Sequence, residues 1–222
     1  MIWLGVHFPW LCLDVFLRGH LDTRIGTAPD RPPLAVCDRT HVLQACPLAR
    51  QLGVLPGQKR ATALALAPSL DCRERDPARE QRALAQAADW ALQFTPLVSL
   101  QTTPAPGLPG VSAPPQPAGL LLEIEASLRL FGGREPLIAR LRGGLADLGF
   151  TVHIACAPSA TGAWLLARHQ DGALADSPTT LNARLASVPA HLLDTAQAHL
   201  ETLEALSAQQ IKPLALLPHT KL

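Results

Sequence analysis

The sequence has no excess of charge: 19 Lys and Arg stand against 18 Asp and Glu, for a net charge of +1 over 222 residues. That near-balance excludes the electrostatic footprint of a strong nucleic-acid binder, so any contact with DNA is expected to be weak or indirect. Tyrosine is absent, and the five cysteines (Cys12, Cys37, Cys46, Cys72 and Cys156) are odd in number, widely spaced and without a CxxC. Such spacing argues against a zinc site or a disulfide framework and predicts buried free thiols in a reducing cytoplasm. No run approaches the roughly 18 apolar residues that a membrane span needs, and the apolar N-terminus carries Asp14 and Arg18 but no basic leader. A cytoplasmic protein with no membrane partner is therefore expected. His153, His169, His191, His199 and His219 show no ligand spacing. Apolar residues are not lacking: at 48% hydrophobic and this length, one or two domains with a real core are expected.

The pattern along the chain reads as strands alternating with helices. Ile2 to Phe8 is strand-like and ends at Pro9, which suits the first turn of a helix through Leu11, Val15 and Arg18. Pro33 to Cys37 and His41 to Ala45 read as a hairpin around Asp38-Arg39-Thr40. Short helices follow from Pro47 to Gly53 and from Ala61 to Ala67. From Pro77 to Phe94 the sequence is helical, with Leu84, Ala88, Ala91 and Leu92 on one face. Leu97 to Leu100 is extended. Residues 103–118, with six prolines and two glycines, form an inserted, solvated loop.

Leu120 to Glu125 reads as a strand, Pro136 to Leu148 as a helix aligned on Leu137, Leu141, Leu145 and Leu148, and Phe150 to Cys156 as a further strand. Ser159 caps a helix through Trp164 and Arg168. Helices at Leu181 to Leu193, Ala196 to Leu206 and Ile211 to Leu217 complete the chain, which is expected to break off inside a helical unit. The fold class is α+β: one sheet, covered by helices on one side and built on a ferredoxin-like order.

Four blocks in sequence carry a resemblance: WLGVHFPWLCLDVFLR, then QACPLARQLGVLPGQKRATALALAP, then WALQFTPLVSLQ with LLLEIEASLRLFGG, then LGFTVHIACAPSATGAWLLAR. A weaker fifth is LASVPAHLLDTAQAHLETLEAL. Their order and spacing resemble the Y-family (UmuC-like) translesion DNA polymerases, in particular the ImuB branch. The resemblance implies a palm over residues 1–18 and 76–168, inserted α/β fingers over 30–75, and the start of a small helical thumb over 178–222. It also implies that the little-finger domain of the family is missing.

Nucleotidyl transfer in that family needs carboxylates on adjacent strands to hold two Mg²⁺ ions. The matching positions are degenerate. His7 and Pro9 stand where a D-x-D segment is expected, and Gln101 and Thr102 where the acidic pair of S-x-D-E is expected. No catalytic residue is therefore assigned, and no cofactor; Mg²⁺ enters only if an active polymerase uses relocated ligands such as Glu123, Glu125 and Asp14. Glu123 and Glu125, two apart on a strand, are read instead as a solvent-facing pair beside core residues Leu122 and Ile124.

Arg50 keeps the arginine of a triphosphate-binding motif whose aromatic is replaced by Pro47. Arg129, Arg134, Arg140 and Arg142 form the densest basic group and are candidates for a phosphate backbone. Ser127-Leu128-Arg129-Leu130-Phe131 resembles a sliding-clamp docking pentapeptide but departs at its first residue; Leu128, Leu130 and Phe131 are read as structural, and Trp164 as core. The function implied is that of a catalytically degenerate scaffold in DNA-damage tolerance and SOS mutagenesis. Its implied partners are a sliding clamp, an ImuA-like protein and an error-prone polymerase. An active translesion polymerase and a non-functional fragment are the alternatives.

Overall fold

The structure, a computed structural model, describes residues 1–18, 32–102 and 117–193. Strand β1 (Trp3–His7) leads into helix α1 (Leu11–Leu17). Next come β2 (Leu34–Cys37), β3 (Val42–Ala45), α2 (Pro47–Gln51), α3 (Arg60–Leu66) and β4 (Asp71–Glu74). Helix α4 (Pro77–Ala91) returns the chain to β5 (Val98–Thr102) and β6 (Ala118–Glu123). One helical turn, α5 (Leu128–Phe131), precedes α6 (Arg134–Asp147), β7 (His153–Ala157), α7 (Ala160–His169) and α8 (Pro178–Leu185).

Local chemistry sets most of these boundaries. Prolines occupy the first turns of α2, α4 and α8, where a missing N–H costs nothing. Asp76 accepts the Arg79 N–H, Ser159 that of Gly162 and Ser177 that of Thr180, each satisfying a backbone donor that its helix leaves free. Gly53, at φ 86°, lets the chain turn sharply after α2.

The first sheet has the order β5-β6-β1-β7 and is antiparallel throughout, which is the ferredoxin-like order expected. A three-stranded sheet, β3-β2-β4, follows α1; its β2 pairs with β3 antiparallel and with β4 in parallel. The hairpin around Asp38 is as read. Strand β4 escapes the sequence pattern because Asp71-Cys72-Arg73-Glu74 lies at a sheet edge and has no apolar alternation to reveal it.

Helices cover both faces of the four-stranded sheet, where one was expected. On one face α4 and α6 bury Ala83, Leu84, Ala87, Leu137, Leu141 and Leu145 against Leu4, Val6, Leu120 and Leu122. On the other, α7 lays Ala163, Trp164, Leu166 and Ala167 over Leu121, Ala155 and Ala157. All six residues of β6 are buried as a result, so the expected solvent-facing Glu123 is buried too. Glu125 leaves the strand for a short 3-10 turn and pairs with the N-terminal ammonium.

Leu92, the residue after α4, is exposed instead of joining its predicted face. Leu130 is 81% exposed and not structural, whereas Leu128 and Phe131 pack on the core. The helix expected over Leu181 to Leu193 ends at Leu185, and a 3-10 turn, Ala190–Leu192, begins after Pro189. The two later helices and the Pro-rich loop lie largely outside the described residues.

Cys37 and Cys72 are joined in a disulfide between β2 and β4, a correction to the expectation of free thiols throughout; Cys12, Cys46 and Cys156 are free. Cα atoms 6.4 Å apart lie within bridging reach. Thiol titration of the unreduced protein in denaturant is expected to count three thiols per chain, and five after reduction. Five before reduction would contradict the bridge. Among the described residues no helix is long and apolar enough to cross a membrane.

Candidate functional site

The strand register places two of the four positions singled out in the sequence, Gln101 and His7, in one row. Gln101 on β5 pairs with Gly119 on β6, Gly119 with His7 on β1, and His7 with His153 on β7. Directly paired residues of an antiparallel sheet point to the same side, so these four form one row on the α7 face. Thr102, one residue further along, takes the opposite face. Pro9 lies just past β1.

Trp164 closes the middle of the row. A Cβ on Gly119 would collide with its indole, which therefore rests directly on the Gly119 backbone between Gln101 and His7. The His7 ring meets the indole edge-on at 5.7 Å between centroids and the His153 ring at 6.0 Å. Both imidazoles leave a buried Nδ1 without a hydrogen-bond partner among the described residues. Burial, then the neighbouring His153 and Arg168 charges, push the His7 pKa down to about 3, so the ring is neutral near pH 7. Arg168 stacks on the indole at 5.5 Å and donates to the Leu192 carbonyl at 2.8 Å.

Beside the row lies a cleft of about 250 Å³, lined by His7, Pro9, Cys12, Gln44, Glu80 and Arg168 among others. Gln44 of β3 spans it. Its Nε2 donates to the Pro9 carbonyl at 2.6 Å, and its Oε1 accepts from the Cys12 thiol at 2.8 Å. The Pro9 carbonyl, the acceptor that Pro9 could offer a metal, thus already accepts one hydrogen bond. Burial, with Glu80 close by, pushes the Cys12 thiol up to about 12 and keeps it a donor.

Arg50, at the far side of α2, donates from Nε to the Ala45 carbonyl at 3.0 Å and stacks on Trp10 at 4.8 Å. Arg134 is paired with Asp176. Arg142 forms two bonds to Asp171, at 2.8 and 3.0 Å. Arg140 sits over Phe131 at 5.9 Å, and Arg129 is exposed on α5. The basic group is therefore not a set of four free charges.

Each carboxylate considered as a relocated ligand already has a partner within the protein. Glu123 accepts the Glu125 N–H at 3.1 Å, at the opposite end of β6 from Gly119. Asp14 is fully buried and accepts the Thr151 N–H at 2.8 Å; burial, opposed by those Thr151 bonds, pushes it up to about 7. No group of three His, Cys, Asp or Glu able to hold a metal occurs among the described residues. Sequence reasoning missed the His153, Gly119 and Gln44 contributions; only the glycine, interrupting an apolar strand, signalled a close approach.

Residues 26–168 match the IMS family, described as impB/mucB/samB. The chain is 30% identical over 171 residues to Protein ImuB of Caulobacter vibrioides, in strain NA1000 / CB15N and again in strain ATCC 19089 / CIP 103742 / CB 15. That alignment takes in 77% of this chain but 34% of the relative, so the chain spans about a third of the length of the curated proteins it matches. Among solved structures it resembles DinB from Sulfolobus solfataricus, with TM-score 0.63 and 17% identity over 100% of this chain and 62% of that one. A Dbh ternary complex gives TM-score 0.68 and 16% identity over 100% and 61%. At that identity the structures establish the fold alone, the palm and fingers region of a Y-family polymerase.

Proposed function

The chain belongs to the impB/mucB/samB family, and from that membership we propose a polymerase-like protein of the ImuB type that has lost nucleotidyl transfer and acts as a scaffold. The observation that carries the proposal is the row Gln101, Gly119, His7 and His153 with the Trp164 indole lying on it. In-line phosphoryl displacement needs hard oxygen ligands and open space for two metal ions and a triphosphate. Here the row holds an amide, a glycine and two imidazoles, and an indole fills the space above it. The donor set does not fit Mg²⁺: the row offers no carboxylate, and a neutral imidazole is a poor ligand for a hard ion.

The fold is kept for what it can still hold together. We place the protein in bacterial DNA-damage tolerance, in the cytoplasm, where it would join a sliding clamp, an ImuA-like protein and an error-prone polymerase that performs the synthesis. Domain limits as read from the sequence, with a palm over 1–18 and 76–168, fingers over 30–75 and a thumb from 178, belong to this proposal. The name Protein ImuB on the 30% identical relative supports it.

Primer extension tests the reading. With Mg²⁺ or Mn²⁺ the protein is expected to add no dNTP above the level of a no-enzyme control. Incorporation that disappears in a Glu123→Ala, Glu125→Ala variant would overturn the scaffold reading in favour of relocated ligands.

A further inference from the structure

On the sheet face away from His7, the end of α1 and the first two turns of α4 enclose a groove of about 620 Å³ that is floored by Val15 and Ala83 and reaches the end of α6. Arg18 enters it from α1; Arg79 and Arg82 enter from α4, three residues apart and so on one helix face. None of the three forms an ion pair among the described residues. Arg18 is held in place by neutral groups, donating to the Leu148 carbonyl at 3.0 Å and to Gln86 Oε1 at 3.2 Å, with its guanidinium 4.2 Å from the Phe150 ring centre. Arg79 lies over Phe16 at 5.1 Å.

Two carboxylates also line the groove. Asp76 is engaged at the start of α4, where it accepts the Arg79 N–H at 2.9 Å, and Asp147 pairs with none of the three arginines. Burial holds the Arg18 guanidinium below its ordinary value, with Asp14 pulling the other way and the Arg79 charge adding a smaller push in the same direction as burial.

We propose that this groove binds a phosphate group, with Arg18 as its fixed donor and Arg79 and Arg82 closing from the other side. A phosphate offers enough acceptor oxygens for guanidiniums that approach from two directions, whereas a carboxylate offers two in one plane. The site shares no residue with the row under Trp164 and stands or falls apart from the scaffold reading. The phosphate comes from a nucleic-acid backbone or from a free phosphate compound, and the two sources are separable.

The full chain is titrated at low salt with a fluorescein-labelled 20-nucleotide single strand by anisotropy and, separately, with inorganic pyrophosphate by calorimetry. The Arg79→Gln, Arg82→Gln variant is compared, with Arg184→Gln on α8 as control. The double variant is expected to lose at least about tenfold in affinity for whichever probe binds. If the strand binds, the slope of log affinity against log salt should fall by about 1.4, the share of two released contacts on a single strand. Strand binding that pyrophosphate does not compete assigns the groove to a backbone; binding of pyrophosphate assigns it to a free phosphate compound. Failure of both probes to bind the wild type overturns the proposal. So does equal binding by wild type and double variant, or competition by poly-glutamate as effective as by an oligonucleotide of equal charge.

Discussion

On lowering the pH from 7 to 4, the His7→Phe variant is expected to gain stability relative to wild type, and the Asp14→Asn variant to lose it, each by about 3 kcal/mol. His7 is half-buried on the α7 face of the sheet and Asp14 is fully buried on α1, and their pKa values move in opposite senses. His7 titrates at about 3 in the folded chain, against 6.5 for an ordinary histidine. Below pH 6.5 the unfolded chain takes up a proton that the folded one refuses, so the contribution of His7 is lost as pH falls through that window. Asp14 titrates at about 7 against 3.8. Between those values the folded chain keeps a proton that the unfolded one releases, and the contribution of Asp14 is lost as pH rises.

In the wild type the two slopes offset one another between about pH 4 and 6.5. Each substitution removes one and exposes the other. His7→Phe costs no hydrogen bond at Nδ1, which has no partner among the described residues, and keeps an aromatic ring against Trp164. Asp14→Asn retains an oxygen for the Thr151 N–H. Urea unfolding at pH 4, 5, 6 and 7 measures the difference from wild type for each variant, which cancels the titration of every other group. A His7→Phe curve parallel to wild type would mean that the imidazole reaches water, and with it the row under the indole would be open.

Replacing Gly5 with alanine is expected to cost more than about 3 kcal/mol or to abolish cooperative unfolding. A Cβ at Gly5 would strike the backbone carbonyl of Ala163, and a helix backbone cannot move aside as the end of a side chain can. Helix α7 would have to lift from the sheet, taking Trp164, Leu166 and Ala167 with it. Gly143→Ala is the contrasting case: the position is inside α6 and faces open space, so alanine should stabilise by about 1 kcal/mol through helix propensity alone. Thermal unfolding of the two variants reads both signs in one experiment. A Gly5→Ala protein within 1 kcal/mol of wild type would show that α7 does not lie against β1 at Ala163.

Helices and strands were readable where periodicity or a cap wrote them into adjacent residues. Leu137, Leu141 and Leu145 announce the buried face of α6, and Ser159 announces the start of α7. Gly144 lowers the intrinsic helix propensity of α6, yet the helix needs it there, because a Cβ would strike the Trp90 ring. That reason sits on another helix and leaves no mark in the local pattern. Strand β4 and the Cys37–Cys72 bridge were unreadable for a related cause: both depend on β2 pairing in parallel with a segment far along the chain.

Local residue order was enough to say that His7, Pro9, Gln101 and Thr102 carry no carboxylate, and that the strands and helices alternate as an α+β fold requires. Those statements concern residue types and near neighbours, which a sequence contains outright. That Gln101, His7 and His153 share one row, that an indole covers it, and that Gln44 donates to the Pro9 carbonyl came from the folded chain. So did the gathering of Arg18, Arg79 and Arg82 around one groove. Each of these depends on which strand pairs with which and which face a helix covers. Such pairings are fixed by burial of apolar area summed over the whole sheet, a quantity that no single stretch of residues carries. The near-neutral charge has the same lesson: a net of +1 describes the chain, while the placement of its arginines describes a surface.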